Sequence, residues 1–523
     1  MNIPDELVQA DELWQRFQER VSAEPELALA ALFALVLLLV IRRARRRRRK
    51  VSRGGLDSVL FKWTNRDPFT VRDLLNGGVA IFGRAGSGKT SGSGKLIGNA
   101  VVGYTNSGGL ILCAKPEDAA MWKAIFAKYG RTGDLIVFSP RDSARFNFLD
   151  YVLKSGGHTR DVTKCITTIG ETLRSSDTKG GENSDFWERE QERMIYNAVE
   201  ALRLAYGRVS APDLQRFISG AALNPEMIAT EQWQAGFHNQ TLKRAFEARK
   251  TRAEEADCML VFDFWLGEIT DMADKTRSSI LVGVFGILHP FNTGLVRDLV
   301  SGETTCSPED MLVRKWILVD MSPAEWGDQG AIICGGWKFL TQKRIIRREA
   351  KAGDPINCIW CDESQQFLTS FDAHYLAQCR SHLGCMIYLT QSIHSYYATL
   401  RGSTGRHQAD ALLTNFHHKI FHAVGDEHTA NFAANLIGKS LQTFIGSSVG
   451  PIDSLSEEMW GTPKVTTSTN EHYEMILQPN VFQNGLRTGG RASAYICDGI
   501  VVRSGEPFAN GSSWLWCEFS QKQ

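Results

Sequence analysis

Residues 79–90 read Val-Ala-Ile-Phe-Gly-Arg-Ala-Gly-Ser-Gly-Lys-Thr. The four apolar residues Val79–Phe82 predict a buried strand, and Gly83-x-x-x-x-Gly88-Lys89-Thr90 follows it at once. Glycines at this spacing let successive backbone N–H groups converge on phosphate oxygens, and a helix opening after Thr90 adds its positive end. In such a loop the lysine reaches the β- and γ-phosphates of a nucleotide, and the following hydroxyl binds magnesium. Gly83, Arg84, Ala85, Gly86, Ser87, Gly88, Lys89, Thr90 and Ser91 are therefore the expected binding loop for ATP, with Thr90 on Mg2+. A glycine-rich turn without function is the plainer alternative, and the strand directly before the loop argues against it. A second Gly92-Ser93-Gly94-Lys95 has no strand before it, and reads as small residues and a surface lysine inside the helix.

Working outward, further short apolar runs stand at Leu110–Cys113, Leu135–Phe138, Trp316–Val319, Ile356–Cys361, Cys385–Leu389 and Lys419–Val424. Continuous rather than alternating hydrophobicity predicts strands covered on both faces, as in a parallel α/β sheet. Ligands of such sheets sit beyond the carboxyl ends of the strands, where these runs place Gly83, Asp320, Asp362 and Gln391. Asp362 is expected to orient the magnesium, and Glu363 to polarise the water that attacks the γ-phosphate. Two acids after a strand often only cap the next helix, but beside a phosphate loop the catalytic reading leads. Asp320 competes for the same role, although Met321-Ser322 follows it rather than a second acid. Gln391, at a strand tip, suits a sensor of the γ-phosphate. Arg380, delivered by a neighbouring subunit, suits the neutralisation of transition-state charge. A surface arginine and a helix-capping glutamine are the bland readings of those two residues.

Between Phe138 and Trp316 the period changes. Trp187, Ile195, Ala198, Val199, Leu202 and Ala205 recur at helical spacing, and Gln191–Ala205 contains no Gly or Pro. The expected organisation is an N-terminal segment 1–53, a nucleotide-binding domain in two parts (54–155 and 311–523), and an all-α insertion at 156–310. Residues 175–184 and the Ser/Thr-rich 446–470 read as mobile loops.

Charge is unevenly spread. The whole chain carries +1, but residues 42–53 hold nine positive charges and residues 1–26 a net of −5, which leaves 54–523 at −3. The main body is not a globally basic nucleic-acid binder, so any DNA contact must be local. Leu27–Ile41 is fifteen uninterrupted apolar residues, followed by Arg42-Arg43-Ala44-Arg45 and on to Lys50. That is about 22 Å of helix against a hydrocarbon core near 30 Å, a shortfall that arginine stems and local thinning can cover. The basic run follows the apolar stretch instead of preceding it, which excludes a signal peptide and predicts one transmembrane helix with the large C-terminal part in the cytoplasm. A buried core helix is the alternative, and core helices are rarely flanked in this way. Eleven cysteines show no framework spacing and fit a reducing cytosol. Cys358-x-x-Cys361 falls in an apolar run where cysteine behaves as a small hydrophobe, so no metal beyond magnesium is expected.

Taken together, these residues resemble the coupling-protein ATPases of type IV secretion and conjugation systems, the TraG/TraD type among FtsK/HerA-like pumping ATPases. The resemblance runs through the N-terminal apolar segment, the loop at 83–90, Lys115-Pro116-Glu117 after a strand, and Phe186-Trp187 opening the helical insertion. It continues through Asp362-Glu363, Arg380…Gly384, Thr390-Gln391-Ser392, Asn415–Ala423 and Asp426-Glu427-His428-Thr429-Ala430. It implies a RecA-like sheet domain with an all-α insertion, assembled as a homo-hexamer on the bacterial inner membrane. It also implies that Arg380 acts in trans, and that ATP drives DNA, single-stranded with a relaxase or other nucleoprotein, toward a type IV secretion channel. Family members usually carry two membrane helices where this chain shows one apolar run, and Cys113-Ala114 stands where an acid is expected. Two other functions fit the same residues: a related DNA motor working in DNA handling or defence without export, and an ATP-switched membrane receptor for a relaxase or effector.

Overall fold

The computed structural model describes residues 55–171, 184–400, 405–449 and 465–522. The predicted membrane helix, its basic flank and residues 175–183 of the loop expected at 175–184 lie outside them, while Ser184 opens a helix. Among the described residues no single helix is long and apolar enough to cross a membrane.

Each predicted apolar run forms a strand. They are β3 (Val79–Phe82), β4 (Ser107–Leu112), β5 (Leu135–Phe138), β6 (Trp316–Val319), β7 (Ile356–Cys361), β8 (Gly384–Thr390) and β9 (His418–Phe421). Earlier in the chain a short antiparallel pair, β1 (Val59–Lys62) and β2 (Pro68–Thr70), stands apart. Two strands that no apolar run announced, β12 (Ile496–Arg503) and β13 (Trp514–Ser520), complete a nine-stranded sheet of order β13-β12-β9-β3-β8-β7-β4-β6-β5. The seven predicted strands are mutually parallel, and β12 and β13 run antiparallel at one edge.

Alternate residues of the parallel strands enter two separate cores, which explains their unbroken hydrophobicity. Ile81, Ile111, Trp360 and Ile387 face the helices Lys95–Gly103 and Pro116–Lys128, which contribute Val101, Trp122 and Phe126. Phe82, Leu112, Ile359 and Tyr388 face the other way. The same alternation puts Cys358 in one core and Cys361 in the other, because an i, i+3 pair on a strand points to opposite faces. Cys358 instead lies beside Cys385 of the neighbouring strand, with sulfurs 3.3 Å apart.

From Phe148 to Leu312 every described element is helical, in agreement with the period change in the sequence. Ile195, Ala198, Val199, Leu202 and Ala205 of the helix Ser184–Tyr206 are buried. This insert shares one apolar core with the sheet: Val162, Ile195 and Trp265 belong to the cluster that holds Ile317, Trp337 and Ile359. The helix Pro323–Ile346 lies between them, buried along most of its length and interrupted at Gly327, whose backbone sits at φ 54°, ψ −134°.

The expected loop at 446–470 needs correction. Residues 446–449 and 465–470 belong to an antiparallel ribbon, β10 (Lys439–Val449) paired in register with β11 (Val465–Met475). Ser/Thr-rich, solvent-facing strands carry no core signature, so the segment reads as a loop. Residues 450–464 lie outside the described residues.

Candidate phosphate-binding and catalytic site

The parallel sheet decides which strand tips meet. β8 lies between β3 and β7, so the carboxyl ends of all three open on one side. β3 delivers the loop 83–90, β8 delivers Thr390-Gln391, and β7 delivers Asp362-Glu363. Asp320, at the end of β6, is separated from β7 by β4 and faces Lys123 at 4.0 Å instead. Burial pushes the Asp320 carboxyl up.

The loop is built for an anion. Gly86 and Gly88 have φ of +74° and +91°, a left-handed backbone that glycine alone adopts readily and that turns N–H groups toward one centre. A Cβ on Gly88 would come within 2.5 Å of Cys497 Sγ, and one on Gly83 within 2.3 Å of Ser87 Oγ. Ser87 Oγ is buried with no hydrogen-bond partner, the mark of a group shaped for an oxygen-rich ligand. Gly83 N–H donates to the Thr390 carbonyl at 3.2 Å, and Arg84 N–H to that of Ala423 at 2.8 Å, so the loop entry is fixed to both neighbouring strands. The first helical turn, Thr90–Gly94, is π-helical: Gly94 N–H donates to the Lys89 carbonyl at 2.8 Å, and a Cβ on Gly94 would strike that carbonyl at 2.7 Å. The second Gly-Ser-Gly-Lys therefore packs the helix start against its surroundings. Ser93 hydrogen-bonds His422 Nε2 at 2.7 Å, while Nδ1 lies 2.6 Å from the Asp498 carbonyl and so carries the proton. Burial holds His422 down to about 4.

Five expected site residues converge. Lys89 Nζ donates to Glu363 Oε1 at 3.0 Å, with both side chains nearly excluded from solvent. Thr90 Oγ1 donates to Asp362 Oδ2 at 2.7 Å. Gln391 Nε2 lies 3.3 Å from both Glu363 oxygens. Glu363 has φ +44°, strained for a non-glycine residue, and its N–H donates to Asp362 Oδ1 at 2.8 Å. Burial raises the Asp362 carboxyl, against the Thr90 hydroxyl and the Lys89 charge. Burial also acts on Glu363, but hydrogen bonds from Gln365, Lys89 and Gln391 outweigh it and hold that carboxyl below its usual range. Carboxylates, a hydroxyl and a lysine beside an amide-lined loop are the donor set that a magnesium–triphosphate needs.

Arg380 is not among them. It sits in the short turn Cys379–His382, exposed, before the amino end of β8 and thus at the opposite end of the sheet. Other neighbours were given no site role by the sequence reading. Lys115 Nζ approaches Glu363 Oε1 to 3.7 Å, and Gln365 Nε2 donates to Oε2 at 2.9 Å. Asp118 accepts from the N–H groups of Ala114 and Lys115, and burial together with the Asp362 charge lifts it to about 6. Gln521 Nε2 donates to Ser91 Oγ at 2.8 Å. Lys115 had a signal, because it follows a strand tip as Gly83 and Asp362 do; the others are gathered by tertiary packing.

A sequence-family profile described as "Type IV secretory system Conjugative DNA transfer" matches residues 42–306. The chain belongs to that family. No curated protein sequence matches it. Among solved structures, the fold of this conjugative-transfer family member is similar to that of the bacterial conjugative coupling protein TrwBdeltaN70 in its unbound monoclinic form. The TM-score is 0.56 at 13% identity, over 92% of each chain. It is similar too to the plasmid coupling protein TrwB in complex with ADP and Mg2+, with TM-score 0.54 at 13% identity over 90% of this chain and 89% of that one. TrwB in complex with a non-hydrolysable ATP analogue gives 0.53 at 13% identity, over 92% and 94%. The mixed α/β architecture with a large parallel sheet and a helical insert is common to these coupling proteins.

Proposed function

We propose that this family member is a membrane-anchored ATPase that moves DNA or nucleoprotein toward a type IV secretion channel. The observation that carries the reading is the convergence of Lys89, Thr90, Asp362, Glu363 and Gln391 on one amide-lined loop. The N–H groups of 83–90 and Lys89 hold the phosphates of ATP. Thr90 and Asp362 hold Mg2+, which supplies positive charge against the phosphate oxygens. Glu363 accepts a proton from the attacking water, and Gln391 senses whether the γ-phosphate is present. The sheet domain takes the RecA-like role, and the helix at Leu27–Ile41 anchors the chain in the inner membrane with its body in the cytoplasm. The body at −3 leaves DNA to a local surface such as the lumen of a ring.

The test is ATP turnover by the full chain with and without single-stranded DNA. Turnover should rise with DNA, and Lys89→Ala should abolish both ATP binding and turnover. Undiminished nucleotide binding by Lys89→Ala would sink the ATPase reading. ATP turnover without DNA stimulation or strand movement would favour the ATP-switched receptor over the motor. Full-length protein that stays in the soluble fraction without detergent would remove the membrane anchor.

A further inference from the structure

Gln365 stands two residues beyond Glu363, and no motif singles it out. Its Nε2 donates to Glu363 Oε2 at 2.9 Å, and its Oε1 accepts from Thr390 Oγ1, also at 2.9 Å. The two contacts fix the amide. A threonine hydroxyl hydrogen on Oε1 leaves only the NH2 edge for the carboxylate, whereas a flipped amide would set its oxygen against Glu363. The other acceptor within reach of Thr390 Oγ1, the Ser392 carbonyl, is more distant at 3.4 Å. Thr390 itself is fully buried, and its carbonyl is the one that receives Gly83 N–H, the first amide of the phosphate loop. The turn carrying Gln365 is also secured, because Ser364 Oγ lies 3.0 Å from the Leu389 carbonyl and 2.6 Å from the Tyr396 hydroxyl. Thr399 Oγ1 donates to the Gln365 carbonyl at 3.2 Å.

We propose that Thr390 and Gln365 form a positioning relay that holds the Glu363 carboxylate in its working orientation and ties that orientation to the entry of the phosphate loop. The inference rests on the hydrolytic reading of the site. Glu363 needs such a device for two reasons. Its backbone is in a strained left-handed conformation, so local preference does not set where the side chain points. Its nearest charged partner, Lys89 at 3.0 Å, is also the residue that reaches for phosphate, so nucleotide competes for that contact at the moment when orientation matters. A neutral amide suits this role, because it fixes one carboxylate oxygen without cancelling the charge that draws a proton from water. Gln391 shares the same two oxygens from the next strand at the longer distance of 3.3 Å. The path Gly83–Thr390–Gln365–Glu363 thus joins loop and base across one buried threonine.

The experiment pairs steady-state ATP turnover with equilibrium binding of a fluorescent non-hydrolysable ATP analogue, on the full chain. Gln365→Ala and Thr390→Val should each lower kcat by at least about tenfold, the scale of one lost charge-assisted hydrogen bond. Analogue affinity should stay within about twofold, because the relay touches no phosphate. Thr390→Ser, which keeps the hydroxyl, should restore turnover. The double variant Gln365→Ala/Thr390→Val should be no slower than Gln365→Ala alone, since Thr390 acts on Glu363 only through Gln365. Losses that multiply, an affinity loss matching the kcat loss, or Thr390→Ser as slow as Thr390→Val would each overturn the relay in favour of a packing role. A wild-type chain without Lys89-dependent turnover removes the hydrolytic reading and the relay together. An active wild type with an undiminished Gln365→Ala overturns the relay alone. Gln365 is only partly buried and belongs to neither apolar core, so its alanine variant keeps the core intact and leaves the kcat comparison decisive.

Discussion

At the scale of single residues, the sheet separates two acids that look interchangeable as strand-tip carboxylates. Glu363 contacts Lys89, Lys115, Gln365 and Gln391, whereas Asp320 faces Lys123 two strands further along. A general base must reach the water it deprotonates, so position decides between them before acidity does. Glu363→Gln should keep ATP binding and lower turnover by at least about a hundredfold, the low end of the contribution of general-base catalysis. Asp320→Asn should leave both nearly unchanged. Turnover surviving in Glu363→Gln and lost in Asp320→Asn, measured by phosphate release, would reverse the assignment.

At the scale of elements, the helix Phe371–Gln378, a few residues beyond Glu363, is pinned to the long helix Pro323–Ile346 by a buried ion pair. Lys338 and Asp372 are both fully buried, with Nζ 2.6 Å from Oδ2, and Gln342 Nε2 donates to the other oxygen at 2.7 Å. Lys338 also donates to the Phe367 carbonyl. Removing one partner strands a charge in the core, at a cost of about 3–5 kcal/mol, while replacing both with apolar residues of similar volume is far milder. Asp372→Ala should therefore shift the urea midpoint strongly downward, and Lys338→Met/Asp372→Leu should recover most of the loss. Equal destabilisation by single and double variants would count against a desolvation origin. Such a pair was illegible in the sequence, because Lys338 sits mid-helix and Asp372 lies thirty-four residues on, with nothing periodic between them. The parallel strands were legible for the opposite reason. Burial on both faces writes itself into each one as an unbroken apolar run, and the chemistry follows at its tip. β13 carries a fainter, alternating trace, with Leu515, Cys517 and Phe519 buried between outward-facing neighbours. The β10–β11 ribbon left no such trace, because its side chains are exposed along almost its whole length.

At the scale of the whole molecule, the position of Arg380 constrains how it could act. Seven residues of β8 span roughly 20 Å at about 3.3 Å per residue, and Arg380 lies before their amino end while Gln391 lies beyond their carboxyl end. An arginine side chain cannot bridge that length, so Arg380 cannot serve the phosphate loop of its own chain. A role in stabilising transition-state charge therefore requires the phosphate loop of a neighbour, as a ring of copies would allow. Two consequences would hold for such a ring. ATP turnover should rise more steeply than linearly with protein concentration, and Arg380→Ala should lower turnover by as much as about a thousandfold while sparing ATP affinity. Mixing distinguishes this from a local defect. Protomers carrying Arg380→Ala and protomers carrying Glu363→Gln should each be inactive, yet a mixed ring contains interfaces that join an intact Glu363 to a neighbour's intact Arg380. Partial recovery of phosphate release on mixing supports action in trans. Absence of recovery, in assemblies shown by fluorescence exchange to share subunits, would count against it, and a fully active monomer on a sizing column would remove the ring itself.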